Sequence, residues 1–335
     1  MDILTQGLIG ATLAQSSARA TETRQATIIG LLSGLLADAD ILIRSSADPL
    51  LTLEFHRHFS HSVFFIPFAA LLASLVLWPL FKKQLSFKRV FLFSLLGSSL
   101  SGFIDACTSY GTYLLWPIYN ERIALNIISI IDPVFTLILL VSIILVLRKQ
   151  QKIIAHFALL LCATYLMLGW LQLQRAESMA VALADSRGHR IEKMVVKPTL
   201  GNLLLWRSIY LSGSSFYVDA IRPAITASAL VYPGTSTPQF LPANDLTDLA
   251  EDTTLYQDVL RFKKFSDNFI SLHPENQDIL GDVRYSMLPN STLPLWGVTL
   301  ERDKPEKHAA FQFYRKTDKA GRRQFMDMLM GKELQ

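Results

Sequence analysis

Cysteine is nearly absent from this sequence. Its two cysteines, Cys107 and Cys162, lie in or beside apolar segments, which excludes a disulfide-rich scaffold, a CxxC pair and a thiolate metal cluster. Charged residues are also scarce, at 18% of 335 positions, and no run of lysine and arginine is long enough to suggest nucleic-acid binding. We therefore predict that the protein has no nucleic-acid partner.

A basic leader is absent as well, because the first arginine is Arg19. Cleaved signal peptides begin with a positively charged region, so the apolar segments are predicted to act as their own insertion signals.

Half of all residues are hydrophobic, and long blocks of them fill residues 1–173, whereas residues 174–335 have the mixed composition of a water-exposed domain. We predict an α-helical membrane bundle at 1–173 and a small extramembrane α+β domain at 174–335.

Long hydrophobic runs are abundant before residue 174. Six segments are candidates for membrane helices: 3–18, 26–43, 62–81, 90–106, 123–147 and 153–173. At ~1.5 Å per residue the first two reach roughly 24–27 Å, less than a ~30 Å hydrocarbon core. Gly30 and Gly34 at GxxxG spacing favour close helix contact, so these two segments are predicted to form a tight hairpin. Asp132 precedes Pro133, and the fifth helix is predicted to begin at Pro133 with Asp132 as its cap.

Basic residues are concentrated in three links between these segments, at 19–24, 82–89 and 148–152. Links rich in lysine and arginine face the cytoplasm in membrane proteins. Because consecutive segments alternate in direction, the loops 44–61 and 106–122 and everything after residue 173 are predicted to lie on the opposite side. The C-terminal domain is therefore predicted to be extracytoplasmic.

The tail shows shorter and mixed patterns. Alternating or aromatic stretches predict strands at 190–197, 215–222, 281–287, 295–301 and 309–315, and helices are predicted at 244–270 and 318–331. Proline and threonine in 232–246 indicate a loop.

Three of the seven histidines lie within six residues, at His56, His58 and His61, directly before the clearest apolar run. Neutral imidazole is a common ligand of zinc and similar divalent ions. His58 and His61 are three residues apart and share a face if a helix has begun there, whereas His56 needs a loop conformation to join them. The simpler alternative is a solvated loop at the membrane surface.

Aspartates in apolar surroundings form the second group of candidates: Asp38, Asp40, Asp105 and Asp132. Such residues are costly in a membrane and are usually kept for a function. The predicted topology places all four on the same side as the histidines. Each has a simpler structural alternative, as a polar helix end or, for Asp132, as a helix cap. A carboxylate in the last turn of a helix opposes the helix dipole, which favours a cation partner for Asp105.

Together these residues predict a site for one or two divalent metal ions, with zinc expected. The predicted metal ligands are Asp38, Asp40, His56, His61 and Asp105. A metal ion lowers the pKa of water, which can then attack an ester or phosphoester. Asp40 is predicted as a catalytic general base, and Arg57 either stabilises developing negative charge or pairs with an aspartate.

The N-terminal half resembles the bacterial inner-membrane metal-dependent hydrolases of the YdjM type, also described as LexA-binding membrane-associated hydrolases. The resemblance covers roughly residues 1–170. It depends on Thr5-Gln6-Gly7, on Asp38-Ala39-Asp40, on His56-Arg57 followed by Ser60-His61-Ser62, and on Asp105 with Thr108 and Gly111. In the tail, the stretch from Pro198 to Arg207 is similar to the start of the extramembrane domain that some members carry.

This resemblance implies a multi-pass protein of the bacterial inner membrane. The C-terminal domain, which the basic links place outside the cytoplasm, is then predicted to be periplasmic. The chain departs from the family pattern at two positions: Gln6 replaces the histidine of many members, and His58 replaces a small residue. A more remote similarity to zinc phospholipase C and the P1-type nucleases implies a phosphate-ester substrate.

We predict a membrane-bound metal-dependent hydrolase that acts on an ester or phosphoester. The lipid bilayer is its predicted partner, and a site at the membrane boundary favours a lipid or lipid-linked substrate. One alternative is a cation or proton-coupled transporter that uses the intramembrane aspartates. Another is a non-catalytic membrane scaffold in which a metal ion stabilises the bundle.

Overall fold

The structure is a computed structural model that describes residues 1–223, 229–315 and 318–334. It divides into two compact units. The first unit contains Met1–Leu42, Phe55–Leu171 and Leu200–Leu203, and the second contains Ile43–Glu54, Gln172–Thr199 and Leu204–Gln335. The N-terminal region is helical, and the second unit contains two antiparallel sheets.

Helices make up most of the chain before residue 187. They are α1 (Ile3–Ser17), α2 (Thr23–Gly34), α3 (Leu51–Phe55), α4 (Ile66–Phe81), α5 (Phe87–Ser99), α6 (Ser101–Cys107), α7 (Pro133–Lys149) and α8 (Ile153–Ser186). Short 3-10 turns cover Ala20–Glu22, Ala37–Leu42 and Phe59–His61. As predicted, α7 begins at Pro133, and the Asp132 carboxylate accepts hydrogen bonds from the amides of Val134 and Phe135, both at 3.1 Å.

Glycines bring α1, α2 and α5 into direct backbone contact. A Cβ atom added to Gly30 would lie 2.4 Å from the carbonyl oxygen of Gly10, and one added to Gly97 would lie 2.7 Å from that of Gly30. A Cβ on Gly34 would lie 2.7 Å from the Gln6 carbonyl oxygen. Only glycine permits helix axes to approach this closely, and the GxxxG spacing is therefore used as predicted.

Three segments in the described part of the chain are long and apolar enough to cross a membrane, namely Ala20–Leu42, Phe87–Cys107 and Ile153–Ser186. Leu51–His61 and Ile66–Phe81 form a fourth if a pair bent by 87° is taken as one span. Exposed apolar side chains on α8, including Leu160 and Met167, form a surface suited to acyl chains. The predicted number of six membrane segments stays a prediction.

The second unit contains two four-stranded sheets in which neighbouring strands follow one another in sequence. The first consists of β1 (Lys193–Pro198), β2 (Trp206–Ser212), β3 (Ser215–Arg222) and β4 (Leu230–Pro238), and the second of β5 (Ile270–His273), β6 (Asn276–Asp282), β7 (Trp296–Thr299) and β8 (Phe311–Phe313). All pairs are antiparallel. Three helices accompany the sheets: α9 (Pro242–Asp245), α10 (Thr254–Phe265) and α11 (Lys319–Met330).

The predicted loop at 232–246 is wrong in its first half, because Leu230–Pro238 forms β4. Pro233 and Gly234 are tolerated there because β4 pairs on one side only, with β3, and the register shifts beside Tyr217. The predicted helix at 244–270 is also too long, since α10 ends at Phe265 and β5 begins at Ile270.

The segment Ile43–Glu54 belongs to the second unit. Leu50, only 1% exposed, belongs to a core cluster with Val259 and Phe262 of α10. The segment 44–61 was predicted to be one polar connection, but its first part contributes Leu50 to a hydrophobic core.

Candidate metal centre

Three side chains from separate elements of the first unit converge at one point. Asp38 lies in the 3-10 turn that follows α2, His61 in the short turn before α4, and Asp105 in α6. The Nε2 atom of His61 lies 2.8 Å from Oδ2 of Asp105 and 3.4 Å from Oδ1 of Asp38. Each of the three offers one ligand atom, and these atoms lie within 4.8 Å of one another. Asp105 and His61 are buried.

The hydrogen bonding of this group fits a metal ion. His61 Nε2 is buried with no hydrogen-bond partner, despite its nearness to two carboxylates, and Asp38 Oδ2 is likewise buried without a partner. Atoms that bind zinc at ~2.0–2.2 Å with tetrahedral angles are about 3.4 Å apart. The His61–Asp38 distance of 3.4 Å matches this spacing, and the His61–Asp105 distance of 2.8 Å is shorter. One imidazole nitrogen and two carboxylates also suit zinc chemically.

Asp40 faces the opposite nitrogen of the same imidazole. Its Oδ2 lies 3.3 Å from Nδ1 of His61 and accepts hydrogen bonds from the Arg57 amide and the Ser60 hydroxyl, both at 2.7 Å. A proton held on Nδ1 leaves the lone pair of Nε2 directed at Asp38 and Asp105. This arrangement fixes the orientation of His61.

His56 contacts Asp40 and stays apart from the three-residue group. Its Nδ1 lies 2.9 Å from Oδ1 of Asp40, and its ring lies 5.5 Å from that of Tyr110. Its side chain is 25% exposed. Direct metal ligation by Asp40 and His56 therefore stays a prediction, and the contacts observed for both are those of residues that support His61.

Arg57 adds a buried positive charge beside the carboxylates. Its Nη2 lies 3.2 Å from Oδ1 of Asp105 and donates to the Met1 carbonyl oxygen at 2.9 Å, while Nη1 donates to the Thr108 hydroxyl at 3.2 Å. The amino group of Met1 also contacts Asp105. The backbone of Arg57 has a positive φ of 60°, which directs its amide toward Asp40 and its side chain toward Asp105.

The remaining sequence candidates have different surroundings. Gln6 is buried and donates from Nε2 to Asp105 at 2.8 Å, so it lies at the centre itself. His58 packs its ring against Tyr113 and Trp116, with ring centres 4.4 and 5.6 Å away. Asp132 caps α7 and accepts a hydrogen bond from the Tyr165 hydroxyl at 2.9 Å, and so takes part in another group of contacts.

Residues outside the sequence candidates shape the centre. A Cβ atom on Gly102 would lie 1.9 Å from the His61 carbonyl oxygen, so only glycine lets α6 lie against the His61 turn. Tyr110 and Arg122 contact His56, and nothing in their sequence context indicated this. Thr108 and Gly111, by contrast, belong to the family resemblance, and this resemblance was the sequence signal that pointed to them.

A second group of carboxylates and histidine occurs within the second unit, formed by Asp48, Asp258 and His308. Arg261 donates to Asp48 at 2.9 Å and to Asp258 at 2.8 Å, so an arginine already pairs with both carboxylates of this group. Burial acts to raise the pKa of Asp48, but the hydrogen bonds from Arg261 outweigh it and hold that pKa below its usual value. These ion pairs account for the closeness of the side chains.

Apolar helices able to span a bilayer and a buried group of aspartate and histidine define an integral membrane protein with a candidate metal centre. Residues 1–176 match the family model of the YdjM inner membrane protein, and the chain belongs to this family. This finding confirms the resemblance in the N-terminal half.

Among curated proteins, the chain is similar to the uncharacterized protein YfhP of Bacillus subtilis (strain 168), with 26% identity over 196 residues. The aligned part covers 58% of this chain and 58% of YfhP, so the chain matches under two thirds of that relative's length. No solved structure matches the chain.

Proposed function

We propose that this protein is a membrane-bound metal-dependent hydrolase of esters or phosphoesters. The observation that carries the proposal is the convergence of Asp38, His61 and Asp105 on one buried point, with His61 Nε2 lacking a hydrogen-bond partner. These three residues would hold a divalent ion, with zinc expected. When bound, such an ion supplies Lewis acidity and lowers the pKa of water, which is the chemistry of ester and phosphoester hydrolysis.

The protein's own groups then have separate roles. Asp40 accepts three hydrogen bonds, from His56, Arg57 and Ser60, and we assign it the orientation of His61 in preference to the predicted role of general base. Asp38 has an oxygen without a hydrogen-bond partner and is the better proton acceptor. The Arg57 guanidinium, next to Asp105, stabilises negative charge that develops on the substrate.

We also propose the membrane arrangement that the basic links indicate. Six helical segments of residues 1–173 would cross or enter the inner membrane, with the links 19–24, 82–89 and 148–152 in the cytoplasm. Residues 174–335 would then form a periplasmic domain. A centre at the membrane boundary supports a lipid or lipid-linked substrate.

The transporter alternative receives less support from the structure. A proton or cation pathway needs a succession of polar sites. Here Asp38, Asp40 and Asp105 all gather around the single histidine His61. Hydrolysis therefore remains the function that the geometry supports best.

Metal analysis of the purified protein in detergent tests the proposal. We expect roughly stoichiometric zinc in the natural protein and a loss of most of it in His61→Ala, together with loss of phosphodiester hydrolysis measured with bis-p-nitrophenyl phosphate. His156→Ala is the matched control, because His156 is exposed on α8 and its Nδ1 atom lies 2.9 Å from the carbonyl oxygen of the nearby Lys152. Unchanged metal content in His61→Ala would remove Asp38, His61 and Asp105 as the metal site.

A further inference from the structure

Two arginine side chains flank one aromatic ring next to the candidate metal centre. The guanidinium carbon of Arg57 lies 5.1 Å from the centre of the Tyr110 ring, and that of Arg122 lies 4.8 Å from the same centre. Arg122 also lies 5.1 Å from the centre of the Tyr113 ring and donates to the His56 carbonyl oxygen at 2.8 Å. Arg122 is thus held between two aromatic rings at the edge of the centre.

Such an arginine is suited to a phosphate group. The guanidinium presents parallel N–H donors that match phosphate oxygens, and contact with aromatic faces restricts its motion before the ligand arrives. With a divalent ion held by Asp38, His61 and Asp105, the summed charge of these residues with Asp40, Arg57 and Arg122 is positive. The centre therefore favours an anionic ligand over a neutral one.

An apolar turn directly follows Tyr113, one of the two rings that contact Arg122. After Tyr113 the chain turns through Leu114 to Tyr119, and Ile118 is 78% exposed and Leu115 39% exposed. The turn is joined to the segment that follows His61, because the Val63 amide donates to the Leu114 carbonyl oxygen at 3.0 Å. In a membrane protein, exposed apolar side chains of this kind contact acyl chains.

We propose that the substrate is an anionic lipid, with a phosphate headgroup bound by Arg122 and an apolar chain held along the turn Leu114–Tyr119. This inference rests on the proposed hydrolase function and adds its substrate class and a specificity-determining residue. Arg122 binds the phosphate that identifies the substrate, while Ile118 and Leu115 contact the part that remains in the bilayer. The main ligand is therefore a membrane lipid and not a soluble phosphate compound.

Binding measurements on the full-length protein in detergent test this proposal. The probes are dioctanoyl phosphatidic acid, dioctanoylglycerol and inorganic phosphate, and metal content is measured on the same samples. We expect phosphatidic acid to bind more tightly than the other two, and Arg122→Gln to weaken its binding by at least about tenfold without loss of metal. Arg122→Lys should recover only part of the affinity, because a lysine is a point charge.

Ile118→Ser is the second variant, and it is safe for folding because Ile118 is exposed. It should weaken phosphatidic acid binding and leave the binding of inorganic phosphate unchanged. Arg148→Gln, in the last turn of α7, is the control and should bind as the natural protein does.

Equal affinity for phosphatidic acid and dioctanoylglycerol, or unchanged binding in Arg122→Gln, would overturn the proposal. Inorganic phosphate that binds as tightly as phosphatidic acid would also overturn it, because the lipid chain would then contribute nothing. If the protein contains the metal ion but shows no preference for phosphatidic acid, the lipid inference is rejected and the hydrolase function is not. If the protein prefers phosphatidic acid but contains no metal ion, the lipid site is supported and the hydrolase function is rejected.

Discussion

At the scale of single residues, Gln6 is the position where this chain departs most clearly from the family it resembles. Its side-chain amide donates to Asp105 at 2.8 Å, next to the point where Asp38, His61 and Asp105 meet. Its Oε1 atom is buried without a hydrogen-bond partner. An amide oxygen is a weaker zinc ligand than an imidazole nitrogen, so Gln6 adds at most a weak ligand to the three strong candidates.

We expect Gln6→His to raise zinc affinity by about tenfold, because an imidazole at this position adds a ligand beside Asp105. Competition against a fluorescent zinc chelator measures the change. Gln15→His is the control, since Gln15 is buried on the same helix but donates to Thr27 instead. If Gln6→His binds zinc no more tightly than the natural protein, residue 6 takes no part in ligation.

A second residue of interest is Lys197, in the second unit. It is 5% exposed, stands opposite Arg207 in the pairing of β1 with β2, and its amine has no hydrogen-bond partner. The amine lies 3.0 Å from the centre of the Tyr285 ring. Burial, together with the charge of Arg284, holds the pKa of Lys197 well below its usual value of 10.5, and Asp282 opposes this only in part. A charged amine there would be poorly solvated.

We expect the stability of the natural protein to rise with pH from the lowered pKa of Lys197 up to about pH 10.5. The unfolded chain binds a proton at Lys197 up to about pH 10.5, whereas the folded chain releases it at lower pH, so stability increases between these two pKa values. The slope is at most about 1.4 kcal/mol per pH unit. Lys197→Met should remove the slope and raise the free energy of unfolding by about 1–3 kcal/mol at neutral pH, because it removes an unsatisfied buried donor.

Thermal unfolding in detergent, followed by tryptophan fluorescence at several pH values, measures this effect. Lys193→Met on the same strand is the control. Lys193 is half-exposed and paired with Asp267, so its replacement should leave the pH slope in place. Lower stability in Lys197→Met at neutral pH would show that the amine is charged and solvated in the folded protein.

At the scale of elements, Gly102 decides how closely α6 approaches the His61 turn. We expect Gly102→Ala to lower the free energy of unfolding by about 1–3 kcal/mol and to reduce metal content, since the new methyl group would displace the His61 backbone. Gly7→Ala is the matched control, because a Cβ there meets only Leu31 and Leu35 side-chain atoms at 3.2–3.4 Å. Melting temperature and zinc content of both variants check the prediction, and equal values would contradict it.

Elements with local signals were predictable from the sequence. The start of α7 follows from Asp132-Pro133, and the contact of α1 with α2 follows from glycine spacing. Strands β2 and β5 were not predicted, because a strand is stabilised by its partners across the sheet more than by its own residues. In the same way, the sequence predicted which residues are candidate ligands. It did not predict that His56 lies apart from His61, because their positions depend on backbone turns that no sequence pattern indicates.

At the scale of the whole molecule, the chain leaves the first unit after Leu42 and returns at Phe55. The segment between, Ile43–Glu54, separates Asp40 from His56 in sequence. Within the second unit, Arg261 of α10 binds Asp48 at 2.9 Å and Glu54 at 2.7 Å, so one side chain holds the middle and the C-terminal end of this segment. The fold thus shortens the free loop between two residues that support His61.

We expect Arg261→Gln to speed hydrogen–deuterium exchange in 43–54, because both ion pairs are lost, while exchange in β2 stays unchanged. Arg302→Gln is the control, since Arg302 pairs with Asp248 at the surface, outside this segment. Unaltered exchange in 43–54 would show that the apolar packing of Leu50 and Leu53 holds the segment without the ion pairs. Zinc affinity should fall by less than about threefold, because doubling the length of a free loop costs only ~0.6 kcal/mol. A loss much larger than about threefold would show that Ile43–Glu54 does more than close a loop.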